Sequence, residues 1–304
     1  MTIDQISNKN PLLEHFHIHN NELSVKIYPN LGASLQELRV HKRDIIDGIS
    51  NDQDGIEDYA VSYKSSILFP FPNRIEDGMY QYKGNNYQFP INEKPLNNAL
   101  HGLVFNKSFK LKDKSVGQDG VSLSFSYTST GQEYGFPFCF ELIIIYDIKN
   151  TGDLTVTFEV ENNGDTSFPM GMGWHPYFTA TDLKTSELSF TSLEYYECNE
   201  RNLPINTVKS GFEKSFEIEE NSFDDACSLE HATCKFKTSE YQIELTFDYA
   251  TGTYLQFYTP PHRKNIAIEP MTSIANSFNN KIGFKEIHSG ESDRWAIHLN
   301  IHLL

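Results

Sequence analysis

The sequence predicts an all-β fold, a single large sandwich of antiparallel sheets over residues 1–304, with few short helices. Three observations carry this. Apolar residues recur at every second position in many short segments, which is the period of a half-buried strand. Turn residues punctuate the chain at close, even intervals, with no Pro- or Ser-rich linker to mark a boundary. No long amphipathic stretch and no fixed-period repeat interrupts the pattern, so solenoids and propellers are excluded.

Element by element, Leu23, Val25 and Ile27 alternate with Ser24 and Lys26. Tyr80-Gln81-Tyr82 and Tyr87-Gln88-Phe89 flank Lys83-Gly84-Asn85-Asn86, a hairpin signature. Val121, Leu123 and Phe125 alternate with serines, and Leu154, Val156 and Phe158 with Thr155, Thr157 and Glu159. Asn150-Thr151-Gly152-Asp153 should close a second hairpin between 143–148 and 154–160. Ile243, Leu245 and Phe247 repeat the alternation towards the C-terminus. Short helices are expected within Asp54–Ser66 and Ser273–Asn279. The 16 Tyr and 22 Phe can fill a sizeable core between packed sheets.

The formal charge is −16, with Lys and Arg scattered and no basic stripe. Nucleic acid and anionic membrane surfaces are therefore poor partners. Met1–Asn10 is polar, without a secretory pattern, and no segment has the apolar length of a membrane span. Four cysteines, Cys139, Cys198, Cys227 and Cys234, fit neither a zinc site nor a disulfide framework. They read as reduced thiols of a cytoplasmic protein, monomer or homodimer.

Three clusters hold the candidate chemistry. They are Asn97-Asn98-Ala99-Leu100-His101-Gly102, Gly173-Trp174-His175-Pro176-Tyr177-Phe178 and Ile268-Glu269-Pro270-Met271-Thr272. Each sets one titratable side chain beside a residue that fixes the backbone. Two imidazoles and a carboxylate in one cleft can move protons at two oxygens of a small substrate. Glu269 follows an apolar run and is expected at a strand end, where partial burial would raise its proton affinity. Trp174 and Tyr177 flank His175 and would line an aromatic pocket. Asn73-Arg74 follows two prolines. Arg74 either points inward to grip two oxygens or pairs at the surface with Glu76 or Asp77. Asp224 or Asp225 could bond sugar hydroxyls. His15, His17 and His19 alternate on one strand, and read as an exposed face rather than a metal site. Phosphate-binding, nucleotide-binding and nucleophile-elbow motifs are absent, which disfavours phosphoryl transfer, hydride transfer and serine hydrolysis.

In order along the chain, Tyr28-Pro29-Asn30-Leu31-Gly32-Ala33-Ser34-Leu35, Asn73-Arg74-Ile75, Asn98-Ala99-Leu100-His101-Gly102, His175-Pro176-Tyr177-Phe178 and Ile268-Glu269-Pro270 resemble the aldose 1-epimerase (mutarotase) family. The resemblance implies a β-supersandwich, a free-aldose substrate and no cofactor or metal. It assigns Glu269 as general base, protonated His175 as general acid and His101 as the second active-site histidine. Arg74 matches the substrate-binding Arg, and Asp224 the Asp that bonds hydroxyls, with Asp225 adjacent. Leu103 stands where galactose-type members usually have a second Gly. Val104-Phe105-Asn106 replaces the aromatic and Arg of the hexose-6-phosphate branch, which points away from a phosphosugar. The rival readings are a glycoside hydrolase using Asp224 and Glu269 and a carbohydrate-binding sandwich without catalysis.

Overall fold

The computed structural model describes residues 1–209, 215–248 and 253–304. The alternation read from the sequence becomes strands. In Leu23–Tyr28 the buried side chains are Leu23, Val25, Ile27 and Tyr28. In Gly120–Thr130, Val121, Leu123 and Phe125 turn inward. The expected hairpin forms from Met79–Tyr82 and Asn85–Gln88. Its two-residue turn has φ 48° at Lys83 and 79° at Gly84. Both angles are positive, as a type I′ turn requires. Cys139–Lys149 and Leu154–Asn162 close the second.

Pairing runs antiparallel in one continuous path. Lys110–Val116, Gly120–Thr130, Cys139–Lys149, Leu154–Asn162, Ser292–Leu303 and Tyr241–Phe247 lie side by side. Tyr241–Phe247 then pairs with the C-terminal half of Asp224–Lys237. The N-terminal half of that long strand instead pairs with Tyr254–Tyr258. From there the path continues through Asn265–Met271, Tyr177–Thr179, Arg43–Ile46, Ser34–Val40, Leu23–Tyr28, His15–His19 and Thr2–Ile6.

The two arms of the path pack face to face over a common core. Phe16 of one arm meets Phe125 of the other with ring centroids 5.5 Å apart. The Tyr146 hydroxyl donates to the Ala33 carbonyl at 2.7 Å. This is the layered all-β architecture expected.

Helices are few. Gln53–Ser62 starts at Asp52, whose side chain accepts from the Gly55 amide, and stops at Tyr63 in the left-handed region. The second, Ser277–Asn280, is one turn long and falls in the expected stretch, ending one residue beyond it. Among the described residues no helix is long and apolar enough to cross a membrane. All four cysteines are free.

Two expectations need correction. Glu269 does not end a strand: Asn265–Met271 runs through Pro270, which lies opposite Leu255. The Ile268 and Thr272 amides point to the Pro176 and Met172 carbonyls, so residue 270 faces the same neighbour. That neighbour is interrupted between Gly173–Trp174 and Tyr177–Thr179, and the missing proline donor falls opposite Trp174, beside the break. Nor is His15–His19 an exposed face. The strand lies between Thr2–Ile6 and Leu23–Tyr28. His15 is buried and stacks on Tyr28, His17 bonds Ser24, and His19 pairs with Asp4.

Candidate active site

Strand register assembles the centre of the site. Gly173 lies opposite Met271 and Tyr177 opposite Ala267. That register sets residue 175 opposite residue 269, 94 positions later in the chain. Nε2 of His175 is 3.3 Å from Oε1 of Glu269. On the far side, Gln256 is the register partner of Glu269 and Tyr258 that of Ala267. Asp224 in turn pairs with Tyr258. Four neighbouring strands therefore present His175, Tyr177, Glu269, Gln256, Tyr258 and Asp224 to one cavity of about 480 Å³.

The opposite wall comes from the segment around Arg74. Arg74–Glu76 pairs with Asn98–Leu100, and the His101 amide donates to the Asn73 carbonyl at 2.8 Å. His101 and Gly102 both have positive φ, 62° and 75°. This kink turns the His101 ring edge-on to His175, with centroids 4.9 Å apart. Tyr63 closes on its other side at 4.8 Å. Tyr177 stacks beside His175 at 5.1 Å, and its hydroxyl donates to the Ser62 carbonyl.

Arg74 points inward, and its counter-ion is Glu93 rather than Glu76 or Asp77. Nε donates to both Glu93 oxygens at 3.1 and 3.0 Å, and Nη2 to Oε1 at 2.9 Å. Nη1 reaches Asn73 Oδ1 at 3.2 Å. Glu76 and Asp77 instead hold Arg201. Asn73 donates onward to Gln256, which donates to Asp224 Oδ1 at 3.0 Å. A polar chain thus links Arg74 to Asp224 across the cavity floor.

His101, His175 and Glu269 are 6%, 5% and 2% exposed. Burial disfavours each charged form. It pushes His175 down to about 4, with Arg74 adding in the same sense. His101 is lowered well below the usual range by burial, then by His175 and Arg74. Glu269 is raised well above its ordinary value by burial and by Asp224, against an opposing pull from Arg74. The protonated His175 expected from the sequence is therefore not the form this environment favours. Burial favours the neutral form of both members of the pair.

The ligand atoms of His101, His175 and Glu269 lie within 4.8 Å of one another. A tetrahedral ion with bonds of about 2.1 Å would draw its ligands to roughly 3.4 Å. The His175–Glu269 separation of 3.3 Å is already of that size.

The sequence-derived residues His101, His175, Glu269, Arg74, Asn73, Tyr177 and Asp224 converge on this cavity. Trp174 does not: it is fully buried in the main core. Neighbouring strand positions point to opposite faces, so Trp174 and His175 cannot share a wall. The same rule separates Asp224 from Asp225. Asp224 lines the cavity, whereas Asp225 accepts from the Tyr195 hydroxyl at 2.6 Å beside a separate apolar pocket. Sequence reasoning missed Glu93, Gln256, Tyr63 and Tyr258. Gln256 left a signal, a lone amide in the aromatic strand Tyr254-Leu255-Gln256-Phe257-Tyr258. Glu93, in the polar run Asn92-Glu93-Lys94, left none.

Comparison with known proteins bears on the family and the fold. A family model described as aldose 1-epimerase matches residues 14–300. The uncharacterized protein YihR of Escherichia coli is 26% identical over 251 residues, 78% of this chain and 79% of that protein. A maltose epimerase of Levilactobacillus brevis is 29% identical over 156 residues, 50% of this chain and 44% of that protein. Among solved structures, a galactose mutarotase-like protein from Clostridium acetobutylicum superposes with a TM-score of 0.88 at 21% identity, covering 100% of this chain and 99% of its own. A galactose 1-epimerase from Lactobacillus acidophilus gives 0.80 at 15% identity, with 99% and 98% covered.

Proposed function

The chain belongs to the aldose 1-epimerase family, and from that premise we propose that it interconverts the α and β anomers of a free aldose by opening and closing the pyranose ring. The contact between His175 and Glu269 in the buried wall of the cavity carries this reading. Anomerisation needs one proton removed from the C1 hydroxyl and one delivered to the ring oxygen. Both oxygens sit on the same carbon, so the two protein groups must be neighbours.

Glu269 as carboxylate takes the proton from the C1 hydroxyl while His175 as imidazolium gives one to the ring oxygen. The C1–ring oxygen bond breaks and C1 becomes an aldehyde. The pair is left as neutral imidazole and carboxylic acid. Rotation about C1–C2 exposes the other face, and the two proton transfers reverse on closure. The pair thus holds one proton throughout and alternates between its two tautomers. Burial favours the neutral tautomer, which matches the open-chain sugar, and the ion pair matches the ring form. Each positioned proton transfer contributes ~10²–10⁴-fold.

His101, kept neutral by burial, offers a hydrogen bond to an oxygen as charge develops there. Arg74 and Asp224 hold hydroxyls from opposite ends of the polar chain, and Tyr177 supplies a ring face.

A hydrolase would use Asp224 and Glu269 as its two acids. Here the immediate neighbour of Glu269 is an imidazole, and Asp224 is engaged by Gln256 and Asn202. A sugar without phosphate fits the charge of the cavity. Arg74 is already paired with Glu93, and Lys64 with Asp47 and Asp58. Polarimetry on freshly dissolved α-glucose and α-galactose tests the proposal. The wild type should accelerate the approach to equilibrium, and failure with a panel of free aldoses would overturn it.

A further inference from the structure

We infer that Glu93 is a positioning residue of this site, setting both the aim of Arg74 and the field that Arg74 casts on the His175–Glu269 pair. The inference rests on the reading of the cleft as a site of sugar turnover. Three of the five guanidinium N–H groups are already engaged: Nε and one on Nη2 by Glu93, one on Nη1 by Asn73. One N–H remains on each terminal nitrogen. That edge is suited to two adjacent sugar oxygens, and its direction is set by the carboxylate at its back.

Glu93 is itself held firmly. Its amide and carbonyl exchange hydrogen bonds with the Asn98 backbone at 3.1 and 3.2 Å. Its Oε2 accepts from Asn98 Nδ2 at 2.8 Å. Asn98 in turn bonds Arg201, which also grips the Leu96 and Asn97 carbonyls. The side chains of Arg74 and Glu93 are 13% and 15% exposed, so neither is free to swing into solvent.

The electrostatic half follows from where the charges stand. Arg74 depresses the proton affinity of Glu269, His175 and His101. Glu93, the carboxylate paired with Arg74, casts a field of opposite sign that reaches the cavity at Tyr63 and at Asp224, where it adds to burial in raising both groups. Asp224, Tyr177 and the two histidines also face Glu269, and Asp58, Tyr63, Lys64, Tyr258 and His262 line the same cavity. Remove the charge of Glu93 and the pull of Arg74 on Glu269 and His175 is no longer offset.

The test is the anomerisation rate against pH for wild type, Glu93→Gln, Glu93→Asp and Glu76→Gln, with thermal unfolding of each. Loss of a charge-assisted contact typically changes an equilibrium by about tenfold or more. Glu93→Gln should raise KM by about that factor and move both limbs of the kcat/KM profile to lower pH. Glu93→Asp keeps the charge but cannot span both Arg74 contacts, so KM should rise while the profile stays in place. Glu76→Gln, which alters a carboxylate held by Arg201, should leave both unchanged. A structural role alone would lower the melting temperature and leave KM and the profile of the folded enzyme untouched; that outcome overturns the inference. So does an Asp variant with wild-type KM, or a Glu76→Gln profile displaced as far as that of Glu93→Gln. Wild-type protein without any turnover would instead remove the reading of the cleft on which the inference stands.

Discussion

Nε2 of His175 stands 3.3 Å from Oε1 of Glu269, and both side chains are buried, Glu269 on the strand Asn265–Met271 and His175 in the break of the neighbouring segment between Gly173–Trp174 and Tyr177–Thr179. Oε2 of Glu269 and Nδ1 of His175 have no hydrogen-bond partner among the described residues. An unpaired buried carboxylate oxygen is costly, and a sugar hydroxyl in the cavity would satisfy one. Glu269→Gln keeps the shape and one acceptor but cannot accept a proton. Turnover should fall by ~10²–10⁴-fold while sugar affinity, read by calorimetry, stays within about threefold. Retention of a tenth of the activity would remove Glu269 from the chemistry.

The same pair should print opposite signs on stability. Glu269 has a raised folded pKa, so above its ordinary value the folded state binds more protons than the unfolded chain. Its contribution is fullest at low pH and is lost as pH rises through the folded value. Glu269→Gln should therefore gain melting temperature over wild type, and the gain should grow from about pH 4.5 upwards. His175 is the reverse. Lowered from 6.5 to about 4, its contribution is present above 6.5 and lost on the way down to 4. That difference corresponds to roughly 3 kcal/mol. His175→Asn should flatten the acid side of the stability curve, measured by denaturant unfolding from pH 7 to pH 4. Parallel curves for variant and wild type would contradict the assignment.

Asp224 and Asp225 are adjacent but point to opposite faces of their strand. Asp224 bonds Gln256 in the cavity, and Asp225 takes the Tyr195 hydroxyl outside it. Asp224→Asn should raise KM about three- to tenfold with kcat changed by about twofold at most. Asp225→Asn should leave KM alone and cost ~1–2 kcal/mol of stability through the weakened Tyr195 bond. Steady-state kinetics and denaturant unfolding separate the two. A KM effect at Asp225 instead of Asp224 would invert the placement.

What the sequence disclosed follows from range. Alternation is local, so the strands at 23–28, 120–130, 154–162 and 241–247 were legible as they stand. The Lys83-Gly84 turn was legible for the same reason. Register is not local: nothing in either segment says that residue 175 faces residue 269, and only the resemblance to a family linked them beforehand. Pro270 looked like a strand stop because the interruption that accommodates it lies in a different segment. Glu93 was invisible because its meaning comes entirely from Arg74, 19 residues away. Trp174 is the instructive error. Period two already forbids it the wall that His175 lines, and its aromatic character was weighed above its position.

The last prediction concerns the backbone that presents His101. Gly102 has φ +75°, and a Cβ there would lie 2.2 Å from the Phe69 carbonyl oxygen. That carbonyl also accepts from the Leu103 amide at 2.8 Å, so it cannot retreat freely. Gly84 is a fitting control, since its φ is +79° but no atom lies within 4 Å of the added Cβ. Gly84→Ala should show the left-handed strain alone, about 1–2 kcal/mol, with turnover intact. Gly102→Ala adds a steric overlap that only backbone movement relieves, and the residue displaced first is His101. Its melting temperature should fall further than that of Gly84→Ala. Turnover per folded molecule should fall as well, because the His101 ring leaves its edge-on position 4.9 Å from His175. If the two alanine variants match in both stability and turnover, the Gly102 kink does not hold His101 in place, and the histidine must be aimed by its contacts with Tyr63 and His175 instead.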